Sequence, residues 1–560
     1  MRLGLLLPIC GVALLAACRP TPDYDLIIRH GTVYDGSGGA PSVMDVGVRG
    51  DSIVKLGDLS AARGRAEVDA TGLAVAPGFI NMLSWAVSDL LADGRSQGDI
   101  RQGVTLEIFG EGESMGPLTD SMRAEMIAQQ GDIKYDVPWT TLGEYLDHLV
   151  TKGIAPNVAS FVGATTVRVH EVGYANRPAT PEELARMQDL VRQGMAEGAL
   201  GVGSSLIYAP ANYATTEELI ALAKAAGELG GMYISHMRDE GSGLLTAAHE
   251  LITIASQAGV PAEIYHLKAS GRANWGKLDS LLALIDSARA AGLRITADMY
   301  TYPASSTGLD ATMPTWVQEG GQDAWIARLK DPAIRARLLK EMRGGKGYDN
   351  AFVNAGGAQG ILLVGFKNPA LKPLTGKTLA EVATARGTSP EETAMDLVIE
   401  DDSRVDCVFF TMSEDNVKRE VQLPYMSFGS DGGSMSTEGV FLLSGTHPRS
   451  YGNFARLLGK YVREEQLVSL PEAVRRLTSQ PAENLKIQRR GRLAPGYYAD
   501  IVLFDPATIT DHATFAQPHQ YATGVRDVWV NGVAVLRDGA PTDSMPGRVV
   551  RGPGYRPRAP

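Results

Sequence analysis

Apolar residues recur along this chain in two rhythms. Over residues 24–76 they form short alternating runs, among them Asp25-Leu-Ile-Ile-Arg29, Val43-Met-Asp-Val-Gly-Val-Arg49 and Ser52-Ile-Val-Lys-Leu56, divided by Gly-, Pro- and Asp-rich turns. That pattern predicts β-strands. A second block of the same kind begins at Gly491 and includes residues 499–505 and 527–537. Between the two blocks, apolar runs alternate with amphipathic stretches. Strand-like runs lie at 74–81, 104–109, 157–162, 199–204, 232–236, 262–266 and 294–300, with two more at 405–410 and 425–431. Thr180-Pro-Glu-Glu183 and Thr215-Thr-Glu-Glu218 mark helix starts, each matching a capping box, with Pro181 suited to a first helical position.

Strand–helix units repeating at roughly thirty residues predict an α/β fold, a (β/α)8 TIM-like barrel over residues 77–490. Nine candidate strands are one too many for eight staves. The stretch 305–360 breaks the rhythm, carries its own helix at 323–343, and reads as an inserted lid or subdomain. The two terminal blocks, 24–76 and 491–555, are expected to build one small β-sandwich domain together. A length of 560 residues suits a large barrel plus such a domain.

Charge and composition narrow the partners. The net charge is -11, with no basic stripe for nucleic acid. Arg2 precedes an apolar run from Leu3 to Ala17 that ends in Leu15-Ala16-Ala17-Cys18. Its length and small-residue end read as a secretory signal over 1–18 rather than a membrane span. The ending resembles the bacterial lipoprotein signal, so the expected protein is exported to the periplasm or cell envelope and touches membrane only through lipid at Cys18. After cleavage only Cys18 and Cys407 remain, which excludes a disulfide framework. Cys407, inside the apolar run 405–410, reads as a buried thiol.

Two of the nine histidines stand out by position. His236 and His266 each close an apolar run, thirty residues apart. In a barrel that spacing puts both at the C-terminal ends of neighbouring strands, where two imidazoles make a natural pair of Zn ligands. Lys268, two residues further on, points the same way by strand alternation. Glu111 or Glu113, in Gly110-Glu-Gly-Glu-Ser-Met-Gly-Pro117, offers an oxygen ligand after strand two. Asp431 ends the last strand in Phe428-Gly-Ser-Asp-Gly-Gly433 and suits proton transfer in a hydrolase. Arg449 is a candidate clamp for a substrate carboxylate, and Tyr208, Tyr300 and Tyr302 are candidate pocket hydroxyls.

The order of several segments resembles the amidohydrolase superfamily, specifically its D-aminoacylase (N-acyl-D-amino-acid deacylase) branch, over nearly the whole mature chain. The segments are Asp25-Leu-Ile-Ile-Arg-His-Gly-Thr-Val-Tyr-Asp-Gly36, Val75-Ala-Pro-Gly-Phe-Ile80, Ser235-His-Met-Arg-Asp-Glu-Gly241, His266-Leu-Lys268, Ala297-Asp-Met-Tyr-Thr-Tyr-Pro303, Gly429-Ser-Asp-Gly432 and His447-Pro-Arg449. The resemblance implies hydrolysis of an N-acyl-D-amino acid to a carboxylate and a free amino acid. It implies His236 and His266 as ligands of a tightly held Zn2+ and Asp431 as general acid/base. Lys268, Tyr208, Tyr300 and Arg449 would recognise the substrate carboxylate. The family's third ligand, a Cys, aligns with Glu111, and His2Glu is a known catalytic zinc set. One departure matters. Where the superfamily carries Asp-x-His-x-His, this chain has Asn81-Met-Leu-Ser-Trp85. Leu83 and Trp85 cannot bind metal, so a single ion is expected, zinc or another divalent metal. The rival readings are an amidohydrolase acting on a dipeptide, lactone or cyclic amide, and an inactive periplasmic binding lipoprotein of the same fold.

Overall fold

The computed structural model describes residues 22–344 and 347–557. The signal segment 1–18 and Cys18 lie outside the described residues. Eight parallel staves form the barrel: β1 (Phe79–Asn81), β2 (Val104–Phe109), β3 (Asn157–Ser160, resumed at Val162–Gly163), β4 (Gly201–Ser205), β5 (Met232–His236), β6 (Ala262–Ile264), β7 (Ile295–Met299) and β8 (Met426–Phe428). They pair in chain order, β1 with β2 and on to β8. The ring closes where the Met82 N–H donates to Phe428 O at 3.1 Å and Ser84 bridges Gly432. Most staves are buried along their whole length, as strands packed on both faces must be.

Two runs resolve differently from their apolar pattern. The run 74–81 splits. Ala74–Pro77 pairs with Tyr24–Val33 and Ile501–Phe504, and only Phe79–Asn81 enters the barrel. The run 405–410 is no stave. Its core, Asp406–Phe409, pairs antiparallel with Ser305–Gly308 and Ile361–Gly365 in a separate three-stranded sheet. This removes the ninth strand and extends the insertion past residue 360. Its own core runs from Leu309 through Trp325, Leu363 and Met395 to Phe409. A short apolar run carries no label for the sheet it joins, so periodicity alone could not separate the two cases. The insertion helix expected at 323–343 is two helices, Gln322–Leu329 and Pro332–Gly344. The break falls at Asp331-Pro332, where a proline N lacks a hydrogen to donate and the Asp331 carboxylate accepts from Ala333 N at 2.7 Å. Cys407 is buried in this inserted core, its Sγ 3.4 Å from Val405 O.

The terminal blocks share one nine-stranded sheet, in which Ala74–Pro77 stitches the N-terminal strands to Ile501–Phe504. This is the β-sandwich domain built from both chain ends; Ile28, Val46, Val75, Ile501 and Trp529 meet in its core. The helix starts are also instructive. Thr180 and Glu183 make the full reciprocal capping box. At Thr215 only half of it forms, because the Glu218 carboxylate turns inward to pair with buried Arg168 at 2.8 and 2.7 Å. A buried guanidinium left without a carboxylate would cost more than half a cap.

Below the barrel mouth, Glu107 on β2 is fully buried beside Asp89 and Asp99, accepting from Ser84 Oγ at 2.7 Å and Ser96 Oγ at 2.6 Å. Burial holds the Glu107 carboxyl up to about 7 despite those serines. Burial and then Glu107 push Asp89 to about 7 as well. These carboxyls sit above their unfolded values, so the folded state binds more protons between the two. Their stabilising contribution is present at low pH and is lost as pH rises toward neutrality. Glu107→Gln removes part of that decline. The difference in melting temperature, variant minus wild type, should become more positive by several degrees from about pH 5 to about pH 8; a difference independent of pH would refute the assignment.

Candidate metal centre and active site

The C-terminal ends of the staves converge on one trio. His236 is the last residue of β5, His266 lies two residues beyond β6, and Glu111 two beyond β2. Glu111 Oε1 stands 2.9 Å from His236 Nδ1 and 2.9 Å from His266 Nε2. All three side chains are buried, and one donor atom from each lies within 4.8 Å of the others. Glu111 turns inward because glycines flank it. Gly110 and Gly112 both have positive φ, and a Cβ on Gly112 would sit 2.6 Å from Ser205 Cβ. Among the described residues, no other trio of His, Cys or acidic side chains meets this spacing. Glu111 rather than Glu113 is therefore the carboxylate that joins the two imidazoles. Two nitrogens and an oxygen, buried and close, fit a divalent ion such as zinc.

Charged groups surround the trio. Burial alone would raise the Glu111 carboxyl, but His266 and His236 together hold it well below the usual carboxylate range. Lys268 Nζ lies 2.8 and 2.9 Å from the Glu240 oxygens and 2.6 Å from His266 Nδ1. Glu240 Oε1 is itself 3.1 Å from that nitrogen. Burial and Lys268 lower the His266 imidazole, yet Glu240 and Glu111 outweigh them and push it up to about 10. Across the mouth, Asp431 follows β8 with a left-handed backbone, φ +49°, held by its N–H on Leu83 O at 2.8 Å. Arg449 Nη1 pairs with Asp431 Oδ2 at 2.8 Å. Burial raises the Asp431 carboxyl against the pull of Arg449. His447 positions that arginine: its Nδ1 accepts the Arg449 N–H at 3.0 Å, and its Nε2 lies 3.0 Å from Ala304 O.

These groups line a cavity of about 910 Å³ whose far wall comes from the insertion, including Thr307, Trp325, Phe366 and Arg404. Tyr208 bridges the two walls, donating to Thr307 Oγ1 at 2.8 Å while its ring meets that of His236 edge-on at 5.5 Å. Several buried polar atoms facing the cavity have no hydrogen-bond partner: His236 Nε2, Tyr300 Oη, Arg449 Nε and Ser205 Oγ. Buried polar atoms are almost always paired, so such a convergent set marks a ligand site.

The model of the amidohydrolase family matches residues 66–536. The chain belongs to the amidohydrolase family. This amidohydrolase is 33% identical to the D-aminoacylase of Alcaligenes xylosoxydans xylosoxydans over 531 residues, which cover 94% of this chain and 97% of that enzyme. It is similar to the crystal structure of N-acyl-D-glutamate deacylase from Bordetella bronchiseptica in complex with zinc and a phosphonate mimic of the tetrahedral intermediate, with a TM-score of 0.78, 30% identity, and coverage of 94% of this chain and 100% of that one. A D-aminoacylase structure described in terms of a binuclear metal centre, with activation by one metal and attenuation by a second, matches with a TM-score of 0.77 at 32% identity, covering 94% of this chain and 100% of that one.

The structure brings Glu111, His236, His266, Asp431, Lys268, Arg449, Tyr208 and Tyr300 of this amidohydrolase to one cavity, whereas the Tyr302 hydroxyl does not line it and donates instead to Asp511 Oδ2 at 2.9 Å. Two are less free than their sequence position suggested, Lys268 being engaged by Glu240 and Arg449 by Asp431. Two residues escaped the sequence reading. Glu240 was visible in the Ser235–Gly241 motif but carried no role. Trp85 registered only as a missing ligand, whereas its indole N–H reaches Glu111 Oε2 at 3.0 Å and Asp431 Oδ1 at 3.1 Å.

Glu240 and Glu111 favour a proton on His266, and a metal ion bound there would displace it. Zinc uptake by metal-stripped protein should therefore release protons, and zinc affinity should climb as pH rises from about 6 to about 8. Calorimetric titration in buffers of different ionisation enthalpy measures both; uptake without proton release would contradict the protonated state of His266.

Proposed function

We propose that this amidohydrolase cleaves the amide bond of N-acyl-D-amino acids, giving a carboxylate and a free amino acid. The observation that carries the reading is the buried Glu111–His236–His266 trio facing Asp431 across a cavity with unpartnered polar atoms. Relatives that act on N-acyl-D-amino acids along nearly the full length support the substrate class. Glu111, His236 and His266 would hold one divalent ion, zinc or a metal of similar preference. When bound, the ion supplies Lewis acidity toward water and the amide carbonyl.

The chain's own groups do the rest. Arg449 Nε and the Tyr300 hydroxyl, both buried without acceptors, receive the substrate α-carboxylate and fix the amide over the trio. Tyr208 forms the wall beside His236. Lys268 neutralises Glu240 behind His266 and so sets the charge against which the substrate is read. Asp431 takes a proton from the attacking water as its oxygen bonds to the acyl carbon, and returns it to nitrogen as the C–N bond breaks. Burial, which raises this carboxyl, makes it willing to hold the proton between those two events.

Export, and lipid attachment at Cys18 in the periplasm or cell envelope, belong to the same proposal and rest on the Leu15-Ala16-Ala17-Cys18 ending alone. Cys18→Ser should abolish lipid labelling in cells; persistent labelling would remove the anchor from the picture.

Turnover of paired N-acyl-D- and N-acyl-L-amino acids by the zinc-loaded protein tests the main reading. Chelator-sensitive release from the D member is expected. Asp431→Asn should lower kcat by about 10²–10⁴-fold with zinc content unchanged. Loss of zinc would instead make Asp431 structural, and release from neither member would point to another amide or ester.

A further inference from the structure

Trp85 sits where two chain segments close the barrel. Its backbone N–H donates to Gly432 O at 2.9 Å, and the Asp431 N–H returns to Leu83 O at 2.8 Å. From that anchored position its indole N–H is shared by two carboxylates, Glu111 Oε2 at 3.0 Å and Asp431 Oδ1 at 3.1 Å. The other oxygen of each acid is already engaged. Glu111 Oε1 lies between the two imidazoles, and Asp431 Oδ2 pairs with Arg449. The two inward-facing oxygens therefore have one donor between them. Two carboxylates that face each other repel, and a proton donor shared between them relieves that repulsion. An indole N–H is a neutral donor with no acceptor capacity. It donates to both oxygens and brings no lone pair of its own for a metal at that point. Leu83, fully buried beside it, offers no donor atom either.

We infer that Trp85 is a positioning residue that takes the place of a second cation: it clamps Asp431 against Glu111 and confines this centre to one divalent ion. A D-aminoacylase relative is described with a binuclear metal centre, whereas this chain places an indole between Glu111 and Asp431. The kinetic side of the inference rests on the hydrolase reading; the metal count does not.

Two variants test it. Trp85→Phe keeps the ring and deletes the N–H. Its kcat should fall about 10–100-fold, the cost of a misplaced proton carrier, with KM within about threefold and one zinc retained per chain. Trp85→His restores an N–H donor and should recover part of kcat. The double variant Leu83→His/Trp85→His, titrated with zinc alone and counted by elemental analysis, should take up a second equivalent where wild type takes one. Unchanged kcat in Trp85→Phe would overturn the clamp. Loss of its single zinc would overturn it too, by making Trp85 a support of the trio rather than of Asp431. A double variant that stays at one equivalent would overturn the claim about the second ion. If wild type hydrolyses no amide, the hydrolase reading fails while the zinc count still decides this one.

Discussion

Glu111 Oε1 lies 2.9 Å from His236 Nδ1 and from His266 Nε2, and the other charged groups at the barrel mouth are arranged around that double contact. A carboxylate taken this far out of water is costly unless it is paired, and removing a single partner from such a pair costs about 3–5 kcal/mol. The fold supplies the partners from three separate staves. β2 presents the acid on a glycine-flanked turn, and β5 and β6 present the imidazoles one strand–helix unit apart. None of these segments alone could hold the cluster. It exists because the barrel closes, and the closure at Leu83–Trp85 against Asp431–Gly432 is part of the same construction.

Charge balance explains the shell behind the trio. Three carboxylates, those of buried Glu111 and Glu240 and of half-buried Asp431, face two cations, Lys268 and Arg449. One negative charge is left over. Glu240 and Glu111 push the His266 imidazole up to about 10 although burial and Lys268 both oppose it. The same surplus of negative charge is what makes the trio attractive to a cation. Lys268 thus has a reason to be buried that does not depend on substrate. It sits 2.6 Å from His266 Nδ1 while paired with Glu240, and the other ring nitrogen, Nε2, faces Glu111. Such support behind a ligand imidazole orients the ring and tunes its basicity.

Much of this was legible in the chain. The alternation of strands and helices pointed to the barrel, because a buried parallel strand needs a nearly unbroken apolar run and its crossover helix an amphipathic one. His236, His266 and Asp431 were visible because they end such runs, and the fold puts run ends at the mouth. What periodicity could not show was which sheet a four-residue run joins. Asp406–Phe409 looks like a stave and pairs instead with Ser305–Gly308, so the insertion was read as ending near residue 360 when its core continues to Phe409. That matters for recognition, since Thr307 and Arg404 come from the insertion and touch Tyr208, a barrel residue beside His236.

Trp85 shows a different limit. Read against a motif, a tryptophan in a histidine position is a loss, because the reading asks only whether the residue can ligate. The structure asks what each carboxylate oxygen needs, and two of them need a proton donor at one point. Histidine can supply that donor or a lone pair, whereas tryptophan supplies the donor alone. The substitution therefore keeps one half of the position's chemistry and discards the other. Asp431 is thereby held beside the trio. The residue pair Leu83 and Trp85, which taken alone suggests a decayed enzyme, belongs to an intact arrangement in which Asp431, Arg449 and Glu111 each have a defined partner.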